Sequence, residues 1–310
     1  KMQKLLILDG IGGVPLGREM HEAFCENKVD TAYYDLAELE KIRWYGFRSG
    51  VAKLINRADK ALSFFHLPKL AINDFTALLE REQPTHVLII GFVYKFIAPN
   101  ILTRLKNEYG FSLYLYDTDS CNLYSKRREF IFFLDQELPI YGRIFSFSKV
   151  TTRFFKETRC LNAEHFPFGA KPLPYEQCSK SNDVTFIGSS DLRRIFLLEN
   201  IRGKVAIYGN RWERNYSLIS TELQSSIVDE PMWGDALYQL LRESKIVLNI
   251  TRTNFYGAET GINLRIFEAL SLGCFLLTDY CDEIAELFEV GVEIEVFRSA
   301  AELKEKVTYY

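Results

Sequence analysis

Gly257-Ala258-Glu259-Thr260-Gly261-Ile262-Asn263-Leu264-Arg265-Ile266-Phe267-Glu268-Ala269-Leu270-Ser271-Leu272-Gly273-Cys274-Phe275 reads as a glycine-bearing loop feeding a short helix that ends as a strand begins. Apolar positions three or four apart place Leu264–Ser271 in the helix, and Gly273 marks its end. Strand-like runs lie on either side, Ile246–Ile250 before the loop and Phe275–Thr278 after the helix. Strand, crossover helix and strand in that order form the repeating unit of a parallel sheet.

Outward from this unit the pattern continues. In the second half, strands are expected at Val184–Ile187, Val205–Tyr208 and Val292–Val296, with a helix at Trp233–Arg242. In the first half they are expected at Leu5–Leu8, Thr31–Leu36, His86–Ile90, Ser112–Tyr116 and Arg143–Phe147, with helices such as Leu16–Asn27 and Asp74–Glu82. The chain is therefore α/β throughout, and 310 residues exceed what one core usually serves. Pro167, Pro172 and Pro174, with Gly169 among them, interrupt the alternation. The division expected is an N-terminal domain over 1–165, a linker over 166–180 acting as a hinge, and a C-terminal domain over 181–310.

Composition narrows the function classes. Hydrophobic residues at 47% and charged residues at 25% describe an ordinary globular protein. A net charge of -3 supplies no overall field for nucleic acid, so no nucleic-acid partner is expected. Apolar runs such as Val87–Ile90 are strand-sized, so no transmembrane segment is expected. Six cysteines without a CxxC pair suit reduced thiols and a cytoplasmic location, and no metal site is expected.

Ligands of parallel α/β sheets bind at the carboxyl ends of strands. Gly188-Ser189-Ser190 follows one such strand, where it either admits a diphosphate to backbone amides or makes a tight turn. Tyr208-Gly209-Asn210-Arg211-Trp212 follows another, with Arg211 suited to phosphate and Trp212 either to a base or to the core. Asn263 and Arg265 open the helix described above, and Glu268 lies one turn beyond Arg265. Glu268 can accept two ribose hydroxyls while Arg265 and the helix terminus balance a diphosphate; the alternative is a surface Arg265–Glu268 pair.

These blocks carry a resemblance. Val184-Thr185-Phe186-Ile187-Gly188-Ser189, Ile207-Tyr208-Gly209, Ser244–Asn249, Asn263–Ala269 and Leu276-Leu277-Thr278-Asp279 resemble, in order, the C-terminal domain of the spore-maturation-protein-like glycosyltransferases. That branch belongs to the GT-B enzymes, whose two Rossmann-like domains carry parallel sheets that face each other across a cleft. The resemblance implies a nucleotide-sugar donor, a UDP-sugar favoured, with Glu268 on the ribose, Arg265 and Arg211 on the diphosphate, and Gly188, Ser189, Tyr208 and Asn263 lining the pocket. It also implies no obligatory cofactor. Many GT-B enzymes place a second glutamate eight positions earlier, on the donor sugar; here that position is Thr260, and Glu259 beside it is the candidate.

The N-terminal domain is the acceptor side in this reading. Gly10, Gly12 and Gly13 follow the first strand, but Pro15 breaks a dinucleotide-binding GxGxxG frame. Asp117-Thr118-Asp119 follows another strand, where its carboxylates are candidates for a general base, for metal ligands of a rival single-domain architecture, or for a turn. Basic runs at Lys41–Arg48 and Lys126–Arg128 suit an anionic acceptor or peripheral contact with a membrane face, or are simply solvated. The function expected is sugar transfer to a hydroxyl, of a glycan or a lipid-linked glycan of the cell surface, in polysaccharide biosynthesis. The alternatives are a nucleotide-sugar epimerase or phosphorylase, and a non-catalytic nucleotide-sugar-binding module.

Overall fold

A computed structural model describes residues 2–12, 14–56 and 64–310, which divide into two compact units meeting at Phe166 and Pro167. The expected Gly13 lies outside the described residues. The first unit holds strands β1 (Leu5–Asp9), β2 (Thr31–Asp35), β3 (His86–Ile90), β4 (Ser112–Asp117), β5 (Arg143–Ser146) and β6 (Ala163–His165). They form one parallel sheet in the order β2-β1-β3-β4-β5-β6. Alternate residues Leu6, Leu8, Val87, Ile89, Leu113, Leu115 and Ile144 enter the core, against Phe75, Leu79, Leu102 and Leu105 of the crossover helices. The helix Pro99–Tyr109 shows why its sequence stops where it does. Proline occupies its first turn, and Gly110 closes it at φ +71°, a conformation cheap only for glycine.

The second unit holds β7 (Asn182–Ile187), β8 (Val205–Tyr208), β9 (Ile227–Val228), β10 (Ser244–Asn249), β11 (Leu276–Asp279) and β12 (Glu295–Phe297). Their order is β12-β11-β10-β7-β8-β9, again all parallel. Strand order reverses between β7 and β10, which makes the space at their carboxyl ends the ligand crevice of such a sheet. The corresponding reversal in the first unit falls between β1 and β3.

Most expected strands shift by a residue or two, and His86–Ile90 and Val205–Tyr208 keep their bounds. Two corrections have physical causes. The last strand is Glu295–Phe297 rather than Val292–Val296, because Val292 lies exposed in the turn before it. Edge strands β6 and β9, of three and two residues, are too short to stand out as apolar runs. Residues 166–181 contain no regular structure, yet the stretch after Pro172 packs on the second unit. Tyr175 lies against Gly273, Leu173 joins a core cluster, and Glu176 meets Arg242 at 3.6 Å.

Candidate functional site

The loops at the carboxyl ends of β7, β8, β10 and β11 are tied together by side chains. Arg194, buried on the helix Leu192–Leu198, donates to the Ser189 carbonyl at 2.8 Å and to the Ile250 carbonyl at 2.7 and 3.0 Å. It thus bridges the two strands between which the order reverses. Burial lowers its pKa to about 10, and Arg252 and Arg193 push the same way. Arg193 donates to the Thr251 carbonyl (3.0 Å) and Asp279 (2.6 Å), with its guanidinium stacked 3.4 Å from the Tyr256 ring. Asp279 in turn accepts from the Thr251 amide and hydroxyl, both at 2.9 Å. Asp191 caps the helix through the Arg194 amide (2.8 Å) and also accepts from the Thr253 amide.

Gly188 and Gly209 have a structural task in this frame. Gly188 donates to the Tyr208 carbonyl, its own carbonyl accepts from the Trp212 indole at 3.0 Å, and a Cβ on Gly209 would lie 2.1 Å from it. The loops touch backbone to backbone, which only glycine permits. Ser189 is half-buried beside them, and Ser190 donates from its amide to the Asn210 carbonyl and from its hydroxyl to the Arg211 carbonyl. Trp212 is fully buried against Phe186, so its ring is closed to a base. Arg211 is exposed, in left-handed backbone at φ +68°. Tyr208 packs at the edge of the cluster containing Ile262 and Ile266.

The helix Leu264–Ser271 begins at Asn263, whose amide donates to Asn249 at the end of β10 (2.9 Å). Asn249 reaches on to Thr278 of β11, so cap, strand and neighbouring strand are locked. Arg265 and Glu268 then pair with each other on the first turn. The pair is buried rather than superficial. Burial pushes the Arg265 guanidinium down and the Glu268 carboxyl up, each partner opposing the other's shift. Arg265 Nε and Asn263 Oδ1 are both buried without a hydrogen-bond partner. An arginine in the first turn of a helix adds to the positive dipole end instead of offsetting it. An orphaned guanidinium N–H at such a place suits an anion, and Glu268 beside it suits hydroxyl donors.

Glu259 is exposed, at φ +55°. Thr260 beside it is buried and donates to Glu283 at 2.5 Å, while the Gly261 amide donates to the other Glu283 oxygen at 3.0 Å. Glu283, Arg193 and Arg194 were not expected from the sequence, whereas Asp279 stands in the block Leu276–Asp279 at a strand end. The signal available for the two arginines was their position just after Asp191, against the helix dipole. Nothing local marks Glu283.

In the first unit, Asp117 is fully buried at the end of β4 and accepts from the Ser120 amide and hydroxyl and the Ser146 hydroxyl. Burial raises its pKa to about 6 against those hydrogen bonds. With its oxygens so engaged, the carboxylate is a strut between β4 and β5 and is closed to an acceptor hydroxyl. Asp119 accepts from the Asn122 side chain in the turn that follows. Among the described residues no three His, Cys, Asp or Glu side chains gather to hold a metal ion. Gly10 lies where the strand order reverses, and its Cβ would meet the Phe92 carbonyl at 2.3 Å; Gly12 stands at φ +66° in open space. Asp9 anchors this loop: it accepts from the Ile11 amide (3.0 Å) and the Tyr33 hydroxyl (3.2 Å), and burial raises its pKa.

Residues 193–310 match the model of a family described as glycosyl transferase-like. Solved structures of similar fold include an alpha-glucosyltransferase in complex with UDP, 12% identical at a TM-score of 0.58, covering 99% of this chain and 90% of that one. An alpha-glucosyltransferase with UDP and a 13-mer DNA containing a HMU base aligns at 11% identity and a TM-score of 0.60, over 100% and 90% of the two chains. A glycosyltransferase involved in avilamycin A biosynthesis aligns at 12% identity and 0.52, over 99% and 92%. No curated protein matches the chain in sequence. The exclusion of nucleic acid drawn from net charge is overturned, since a protein of this fold is solved with DNA. Net charge averages over a surface, and a partner meets only one patch of it. No helix among the described residues is long and apolar enough to cross a membrane. The chain thus has the two-sheet GT-B fold of glycosyltransferases, and its segment 193–310 carries the sequence pattern of the glycosyl transferase-like family.

Proposed function

We propose that the protein is a nucleotide-sugar-dependent glycosyltransferase of the spore-maturation-protein-like branch. In this reading the C-terminal unit binds the donor, a UDP-sugar favoured, and the N-terminal unit binds a hydroxyl acceptor on a glycan or lipid-linked glycan. The observation that carries the reading is the buried Arg265–Glu268 pair, with Arg265 Nε unsatisfied at a helix N-terminus. A nucleoside diphosphate supplies phosphate oxygens for the unsatisfied guanidinium N–H and ribose hydroxyls that the carboxylate beside it can accept. UDP in the complexes of similarly folded proteins supports the choice of base. Arg265, Arg211 and the helix dipole would then stabilise the leaving diphosphate, with no step requiring a metal. The biological setting assigned is polysaccharide biosynthesis at the cytoplasmic side of a cell surface.

Calorimetric titration with UDP, GDP, dTDP and CMP tests the reading. UDP is expected to bind most tightly, and transfer from a UDP-sugar is expected only when a glycan acceptor is supplied. Absence of binding by every nucleotide, with and without a divalent ion, removes the donor-site assignment; turnover without acceptor removes the transferase one.

A further inference from the structure

The segment from Lys41 to Asn56 is built inside out. A surface helix normally turns its apolar stripe to the core and its polar face to water. The helix Tyr45–Asn56 does the reverse: Ser49 is its buried position, flanked by half-buried Tyr45, Ala52 and Asn56, and Tyr45 donates to the Leu67 carbonyl at 2.9 Å. Outward stand Trp44 at 71% exposure, Phe47 at 72%, Val51 at 39%, Leu54 at 68% and Ile55 at 69%. At 3.6 residues per turn Phe47, Val51, Leu54 and Ile55 share one stripe about 100° wide, with Trp44 exposed just before the helix begins. An exposed apolar stripe of that kind marks an interaction surface.

Charge identifies what it meets. Lys41, Arg43, Arg48 and Lys53 lie within the segment, and it contains no acidic residue. Its base adds two more cations. Lys41 bridges to Leu70, the Ile42 amide donates to the Lys69 carbonyl at 2.8 Å, and the Lys69 amide donates to the Lys95 carbonyl at 3.0 Å. Lys41, Lys69 and Lys95 are thereby gathered, and burial, Lys41 and Lys95 all depress the Lys69 ammonium. Duplex nucleic acid would satisfy the cations but offers no apolar surface to Leu54 and Ile55. A second copy would oppose basic residues to basic residues across a two-fold axis. A bilayer with anionic headgroups satisfies both halves of the pattern.

We propose that the helix Tyr45–Asn56 lies in the interface of an anionic lipid bilayer, with its outward apolar stripe at the acyl boundary and the flanking lysines and arginines among the headgroups. The segment follows β2 and is pinned to the loop after β3, so it sits at the carboxyl end of the same sheet as the Gly10 loop. That location deepens the lipid-linked acceptor reading above, although binding itself depends on no nucleotide.

Co-sedimentation of the full chain with vesicles tests this. The chain is expected to bind phosphatidylglycerol–phosphatidylcholine vesicles at low salt and to bind phosphatidylcholine vesicles weakly. F47S together with L54S is expected to weaken binding at least roughly tenfold without altering the thermal midpoint, because both side chains face water. R43E with R48E is expected to remove the preference for anionic lipid. The proposal is overturned by failure to bind anionic vesicles, by binding that ignores the serine pair, by duplex DNA binding in place of vesicles, or by a dimer that the serine pair dissolves. No nucleotide sugar enters the assay, so this outcome and that of the donor-site assignment are read separately.

Discussion

At the residue scale, Glu268 carries two burdens. A sequence in which Arg265 and Glu268 stand one turn apart suggests that alanine at 268 would cost donor affinity and little else. The buried pairing changes that expectation, because truncation strands a guanidinium that burial already disfavours. Breaking a buried ion pair from one side costs about 3 kcal/mol or more. E268A is therefore expected to lower the urea unfolding free energy of the C-terminal unit by that order and to abolish UDP binding. E268Q keeps the side-chain shape and a hydrogen-bond acceptor, so it should lose affinity with a smaller loss of stability. Wild-type UDP affinity in a folded E268Q would detach this carboxylate from the ribose. The residues legible from sequence were those on one helix turn, since the spacing of Arg265 and Glu268 is local. Glu283 meets the Gly261 amide across 22 positions of chain, and a carboxylate serving a distant amide leaves no mark in its own neighbourhood.

At the element scale, the glycines at strand ends separate into two kinds. Gly10 and Gly209 stand where one loop backbone presses on another: a Cβ would come within 2.3 Å of the Phe92 carbonyl or 2.1 Å of the Gly188 carbonyl. Gly12 needs its left-handed φ of +66° but has room around it. G10A is expected to cost about 3 kcal/mol through overpacking. G12A should cost about 1 kcal/mol, the backbone preference alone. Urea unfolding of both variants with unchanged m-values checks the order, and equal costs would mean that the Gly10 contact yields easily. The sequence places this glycine-rich loop on the acceptor side, and in structure Gly10 serves loop-to-loop contact. Strand existence was the most legible feature, because buried parallel strands carry continuous apolar runs such as Val87–Ile90. Short edge strands are held by neighbours instead of by their own composition, and Ala163–His165 was invisible for that reason.

At the scale of the whole molecule, the two units have separate cores, one drawn from residues between Leu6 and Ala163 and the others from residues between Val184 and Val307. Two unfolding transitions are therefore expected, each with its own control. In the first unit Glu137 is fully buried, accepting from the Val93 and Tyr94 amides and the Tyr141 hydroxyl. Burial raises its pKa from 4.5 to about 8 despite those bonds. Asp117 shifts the same way, to about 6. The native state keeps these protons to higher pH than the unfolded chain, so their contribution is complete below the unfolded values and is lost as pH rises through about 6 and then about 8. Glutamine at 137 can accept both amides and cannot ionise, so E137Q should flatten the decline of the first transition between those limits. The second unit contains the candidate nucleotide site, and a ligand at a hundredfold excess over its Kd stabilises the state that binds it by about 2.7 kcal/mol. Calorimetry across pH, with and without UDP, should show the E137Q effect in one transition and the UDP effect in the other. A single transition that answers to both would show that the units unfold as one body, and a UDP shift confined to the first transition would place the nucleotide in the wrong half of the chain.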